Sequence, residues 1–164
     1  MQKKVKSKAA ILAGTVSIPR RILVLSNSLG KGAVRLYAGK YGVQLAEWRL
    51  LSALADSEPA STSELAFSLG IDKAWVSRVS KALVEKGLAV PQDDIFDARR
   101  FRLVLTPAGK ALYKKIQPAS VERNAQLLSA FTAAEVEMLD FLLDKLQVEA
   151  DRLAEDALAE LSDS

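Results

Sequence analysis

The residues with the most chemistry to offer fall in two short clusters: Lys73, Ala74, Ser77, Arg78 and Lys81 in one, Asp97, Arg99 and Arg100 in the other. Neither is equipped for catalysis. The sequence has His 0 and Cys 0, which removes histidine acid–base chemistry, thiol redox chemistry, disulfides and the usual zinc sites. It also has no nucleophile with a histidine base, no glycine-rich phosphate loop and no acid pair set by a motif, so no enzymatic activity, metal or cofactor is expected. What arginine, lysine and serine can do at such spacing is hold nucleic acid. Arginine grips guanine with two parallel hydrogen bonds, while serine and lysine hold phosphates. An aspartate two residues before an arginine, as Asp97 stands before Arg99, can orient the guanidinium through a charge-assisted bond so that it enters a minor groove already positioned. An ordinary solvated helix face has the same composition as the first cluster, so that cluster alone leaves both readings open.

The elements that must position these groups are legible around them. Ser61 and Glu64 form a capping box that starts a helix carrying Leu65, Ala66 and Leu69 on its buried side. Gly70 ends it, and Asp72 caps the next helix two residues later. In that second helix Val76, Val79 and Leu83 make one apolar stripe, and Ala74, Arg78, Lys81 and Glu85 lie opposite, with Ser77 beside them. Gly87 closes it. Leu88 to Val90 then reads as a short strand and Arg102 to Leu105 as its returning partner, with Asp97, Arg99 and Arg100 between them. Two helices across a tight turn, followed by a basic hairpin, make a winged helix-turn-helix. Trp75 is bulky for a residue that reads bases and is expected to brace the second helix against the wing.

The remainder of the 164 residues is helical in pattern, so the fold class is mainly α with a small β-hairpin (α+β). With 49% hydrophobic and 26% charged residues, the chain is expected to form one soluble domain. A net charge of only +3 requires any nucleic-acid surface to be a local patch. Residues 1–17 read as a flexible basic arm, because their apolar run is too short to span a membrane and is broken by Gly14, Thr15 and Ser17. A helix is expected from Arg20 to Tyr41 with Pro19 in its first turn and Gly42 at its end, then a second from Gln44 to Ala55 with Leu45, Trp48, Leu51 and Leu54 inward. Thr106 and Pro107 open a long helix that Pro118 should kink or divide, and Thr132 with Glu135 caps a last one. The acidic end from Glu155 to Ser164 is expected to fray. Broad apolar faces at both ends of a chain this small argue for a dimer.

The order L-A-E-W-R-L-L-S-A-L (Leu45 to Leu54), the helix pair, D-A-R-R (Asp97 to Arg100) and L-T-P-A-G (Leu105 to Gly109) resembles the MarR family of bacterial transcriptional regulators, over nearly the whole chain from about Ile18 to Leu161. The resemblance implies a cytoplasmic homodimer on a pseudo-palindromic operator in double-stranded DNA, usually a repressor, often released by a small phenolic or other lipophilic anion. By position, Asp97 and Arg99 match the wing pair, and Ser77, Arg78 and Lys81 lie where such proteins contact the major groove; Lys73, Ala74 and Arg100 complete the expected DNA-binding set. The domain would span 18–161, with 18–42 and 107–161 as dimerisation helices, 44–106 as the winged helix-turn-helix and 162–164 as a frayed tail. One departure is Pro91, Gln92, Asp93 and Asp94, where many relatives have arginines; the acids weaken the local positive field. Asn27, Ser28, Trp48 and Arg49 form the expected ligand pocket, an aromatic wall with a few polar groups, although Trp48 reads more readily as plain core. The alternative function is a helical homodimeric interaction module without specific DNA binding.

Overall fold

The computed structural model describes residues 17–93 and 101–162. Helix α1 (Ile18–Tyr41) is capped by Ser17, whose Oγ accepts from the Arg20 N–H at 3.2 Å, so Ser17 belongs to the helix start and not to a loose arm. Helix α2 (Leu45–Ser57) opens on a capping box between Gln44 and Glu47 and runs two residues past the expected end. After a cis Glu58–Pro59 bond come α3 (Thr62–Leu69), α4 (Lys73–Glu85), the strands β1 (Ala89–Asp93) and β2 (Phe101–Leu105), α5 (Pro107–Leu128) and α6 (Ala133–Ser162). Among the described residues no helix is long and apolar enough to cross a membrane.

The strands form a two-stranded antiparallel sheet with Ala89 opposite Leu105 and Asp93 opposite Phe101. β1 is longer than the sequence suggests: it continues through Pro91, which a strand lying at a sheet edge tolerates because no ladder bond is asked of the missing N–H. On the other side, Leu103 exchanges both backbone bonds with Ala60, at 2.7 and 3.1 Å, tying the hairpin to the segment that enters α3.

The chain divides into two compact units at Ile116/Gln117. In the first, Leu50, Leu51 and Leu54 of α2, Leu65 of α3, Val76 and Leu83 of α4, Ala89 of β1 and Ile116 of α5 are buried together. Gly109 of the L-T-P-A-G run is required by close approach: a Cβ there would collide with the Leu88 carbonyl, so α5 can begin against the root of the hairpin only with glycine at this position. Thr106 caps α5 with its Oγ1, which accepts from Gly109 N–H at 3.0 Å and donates to the Gly87 carbonyl at 2.7 Å. Pro118 is the second residue beyond the unit boundary and does not end α5, which continues to Leu128. In the second unit Thr132 and Glu135 make the expected capping box. α6 is helical through Ser162, with Arg152 bridging Glu149 and Asp156 on its own face, and residues 163–164 of the expected frayed tail lie outside the described residues. No described residue of α6 is buried within this chain.

Candidate nucleic-acid interface

The interface is built on the α3–turn–α4 unit. Ser61 donates its N–H to Glu64 Oε2 at 2.7 Å, and Glu64 donates its own to Ser61 Oγ at 3.2 Å, so the first turn of α3 is closed from both sides. Gly70 takes a left-handed φ of 60°, a conformation that costs glycine nothing, and lets Ile71 donate back to Ala66 at 3.0 Å. Asp72 Oδ1 then accepts from Trp75 N–H at 2.8 Å and starts α4 after the shortest of turns. Trp75 itself is half-buried against the core.

With that turn fixed, α4 presents two different faces. Val76, Ser80 and Leu83 are buried, with Val79 at the margin of the stripe. Residue type alone does not single out Ser80, and among the described residues its buried Oγ has no hydrogen-bond partner. The period of the stripe, which places Ser80 one turn after Val76, is the signal that could have found it. Opposite, Lys73, Ala74, Ser77, Arg78, Lys81 and Glu85 are all exposed on one surface. Lys81 meets Glu85 only loosely, at 3.8 Å, an ion pair that an exposed position relinquishes at little cost. Asp97, Arg99 and Arg100 lie outside the described residues.

Three carboxylates hold the elements that flank this face, and sequence reasoning gave none of them that role. Glu47, buried, accepts from Gln44 N–H at 2.9 Å and from Lys86 Nζ at 2.6 and 2.7 Å, joining the start of α2 to the end of α4. Glu58 accepts from Leu105 N–H at 2.8 Å and pairs with Lys110 at 2.6 Å. Burial raises the Glu58 pKa, but the Lys110 and Leu105 bonds and the Lys110 charge outweigh it, leaving the carboxyl below its ordinary value of 4.5. Glu64 accepts from Arg102 Nη2 at 2.9 and 2.7 Å while capping α3. Its pKa is lowered first by the Ser61 N–H and hydroxyl, then, against some desolvation, by Arg102.

The expected ligand residues are not brought together. Asn27 and Ser28 are exposed on α1, Ser28 donating to the Val24 carbonyl at 2.9 Å; the α1 residues buried against the core are Ala33 and Tyr37, further along the helix. Trp48 is buried, tilted against Tyr37 at 5.4 Å and stacked on Tyr113 at 5.8 Å, so its ring serves the core. It does border an open cleft of about 430 Å³ between α2 and α3, with Arg49, Ser52, Asp56, Ser68 and Leu69. Asn27 and Ser28 are not among the residues that line this cleft.

Comparison with known proteins bears on what this arrangement does. Residues 41–100 match the model of the MarR family. The chain is 34% identical to a MarR/EmrR family transcriptional regulator from Acinetobacter sp. ADP1, covering 84% of this chain and 99% of that one, with a TM-score of 0.78 between the structures. It is 28% identical over 99 residues to the homoprotocatechuate degradative operon repressor of Escherichia coli, covering 60% of this chain and 67% of the repressor. The S. aureus MepR–DNA complex shares the fold at 19% identity, covering 82% of this chain and 98% of that one, with a TM-score of 0.73. A basic face on a capped second helix, a paired hairpin behind it and these likenesses lead to one assignment: the chain belongs to the MarR family of DNA-binding transcriptional regulators.

Proposed function

We propose that the protein is a homodimeric repressor that binds a pseudo-palindromic operator in double-stranded DNA in the cytoplasm and is released by a small aromatic, phenolic or lipophilic anion. The observation that carries the reading is the face of α4, where Lys73, Ala74, Ser77, Arg78 and Lys81 are exposed together on a helix whose other face is anchored in the core. Two such helices enter successive major grooves about 34 Å apart, and Asp97, Arg99 and Arg100 of each wing take the flanking minor groove. The dimer is formed by residues 18–42 and 107–161; supporting this, Ile22, Leu23 and Leu25 of α1 and Met138, Leu142 and Leu146 of α6 stand exposed in the single chain. Release is supported by the α2–α3 cleft, where the Arg49 guanidinium offers a partner for an anion beside the edge of Trp48. A ligand there favours the form that it binds better, and DNA affinity falls by that differential. The relative in Escherichia coli that represses an aromatic degradative operon supports both the repressor and the effector class.

Fluorescence anisotropy with DNA from upstream of the protein's own gene and with a scrambled duplex, over a salt series, tests the reading. Preference for the upstream DNA that persists as salt weakens both complexes supports it; equal, weak binding to both removes sequence-specific repression at that site.

A further inference from the structure

The hairpin carries Arg99, Arg100 and Arg102 along with Asp93, Asp94 and Asp97, and Arg102 near its root would ordinarily be counted among the cations that face DNA. Its bonds point elsewhere. Nη2 donates to both oxygens of Glu64, at 2.7 and 2.9 Å, and Nε donates to the Pro59 carbonyl at 3.0 Å. The side chain is 28% exposed, less than the glutamate that holds it. The same Glu64 carboxylate accepts from Ser61 N–H and so belongs to the cap that starts α3. The neighbouring residue, Leu103, is bonded in both directions to Ala60. β2 is thus attached to the entry of the helix-turn-helix by two backbone bonds and a guanidinium that reaches a carbonyl and a carboxylate at once, a two-point grip that only a planar, forked cation can make.

We infer that Arg102 is a positioning residue: through Glu64 and Pro59 it fixes the angle of the wing hairpin to the α3–α4 unit, and it does not contact DNA phosphate. The inference rests on the proposed DNA binding. It has a consequence opposite to that of simple electrostatics. Removing the Glu64 charge should raise affinity for a polyanion if Arg102 is thereby freed to meet phosphate, and should lower it if the pair holds the wing in place.

The test uses a duplex that the wild-type protein itself selects from a random pool, with binding followed by anisotropy over a salt series and folding followed by circular dichroism melts. Glu64→Gln retains an oxygen for the Ser61 N–H and a side chain suited to the capping box, and Arg102→Lys retains the positive charge while losing the fork. Both variants are expected to bind the selected duplex about tenfold more weakly than wild type, with an unchanged salt slope and melts that still show the folded protein at the assay temperature. The double variant should be no weaker than either single one. Wild-type affinity in Arg102→Lys with increased affinity in Glu64→Gln, or a salt slope that is smaller by about one unit in Arg102→Gln, would overturn the inference and place Arg102 on a DNA phosphate. If the wild-type protein enriches no duplex at all, the DNA-binding reading fails first and takes this inference with it.

Discussion

The two compact units of the chain satisfy their side chains in different ways. In the first, up to Ile116, each helix of the helix-turn-helix buries an apolar stripe within the same chain, and Glu47, Glu58 and Glu64 each bind a backbone N–H together with a cation from a later element. In the second, from Gln117 onward, Gln126 bonds to Glu122, Thr132 to Glu135, and Arg152 to Glu149 and Asp156, each within four residues. Met138, Leu139, Phe141, Leu142 and Leu146 of α6 stay exposed. The contrast teaches that the first unit carries its own buried core, with an uncovered apolar stretch at Ile22, Leu23, Val24 and Leu25 of α1, whereas α6 of the second has its apolar face open along its length until something apolar covers it.

The largest expected effect breaks that contrast in the second unit. Leu142→Asp with Leu146→Asp, at residues 47% and 44% exposed in the single chain, should leave the helix formed yet convert the protein to monomers, read as a halved mass in sedimentation. A variant that retains the wild-type mass would separate α6 from self-association. In the first unit, Gly109→Ala should lower stability by about 1–3 kcal/mol, because the new Cβ meets a backbone carbonyl that cannot move aside. A thermal melt at the wild-type midpoint would show that α5 can shift without cost. Arg78→Ala should leave that midpoint unchanged and weaken the specific complex by about 1–3 kcal/mol, since the residue is exposed on α4 and supports no core. Lys81→Ala should instead reduce the salt slope by about one unit if it holds a phosphate. Equal anisotropy curves for both variants and wild type would move the reading surface off α4.

The smallest effect is acidic. Glu58 and Glu64 both have folded pKa values below the ordinary 4.5, so their stabilising contribution is full above that value and is lost as pH falls through the lower folded values. Denaturation midpoints should therefore fall on acidification from about pH 5 downward, with Glu58→Gln flattening the slope; a midpoint indifferent to pH in that range would show that these pairs contribute nothing.

Much of the first unit was legible in the sequence because its determinants are local. Capping at Ser61/Glu64 and Asp72, the turn at Gly70 and the start of α5 at Thr106 are fixed by residues within a few positions of each other, and short-range hydrogen bonds follow from such spacing. The exposed face of α4 follows from helical period alone. The ties from Glu47 to Lys86 and Glu64 to Arg102 join residues 39 and 38 positions apart, and no period links them. Which turn of α1 meets Trp48 was not legible for a related reason: Asn27 and Ser28 share a helix with Tyr37, and packing, not spacing, brings Tyr37 to the Trp48 ring. β1 outran its expected end because proline is excluded only from strands paired on both sides.

The central claim is that the α4 face reads DNA only when two chains are joined. Analytical ultracentrifugation of the protein alone and with a duplex carrying its selected operator tests it directly. The account predicts two chains per particle in the free protein and two chains per duplex, with the monomeric Leu142→Asp/Leu146→Asp variant failing to shift the duplex at the same concentration. A single chain bound tightly to the duplex, or a monomeric variant with wild-type affinity, would contradict it.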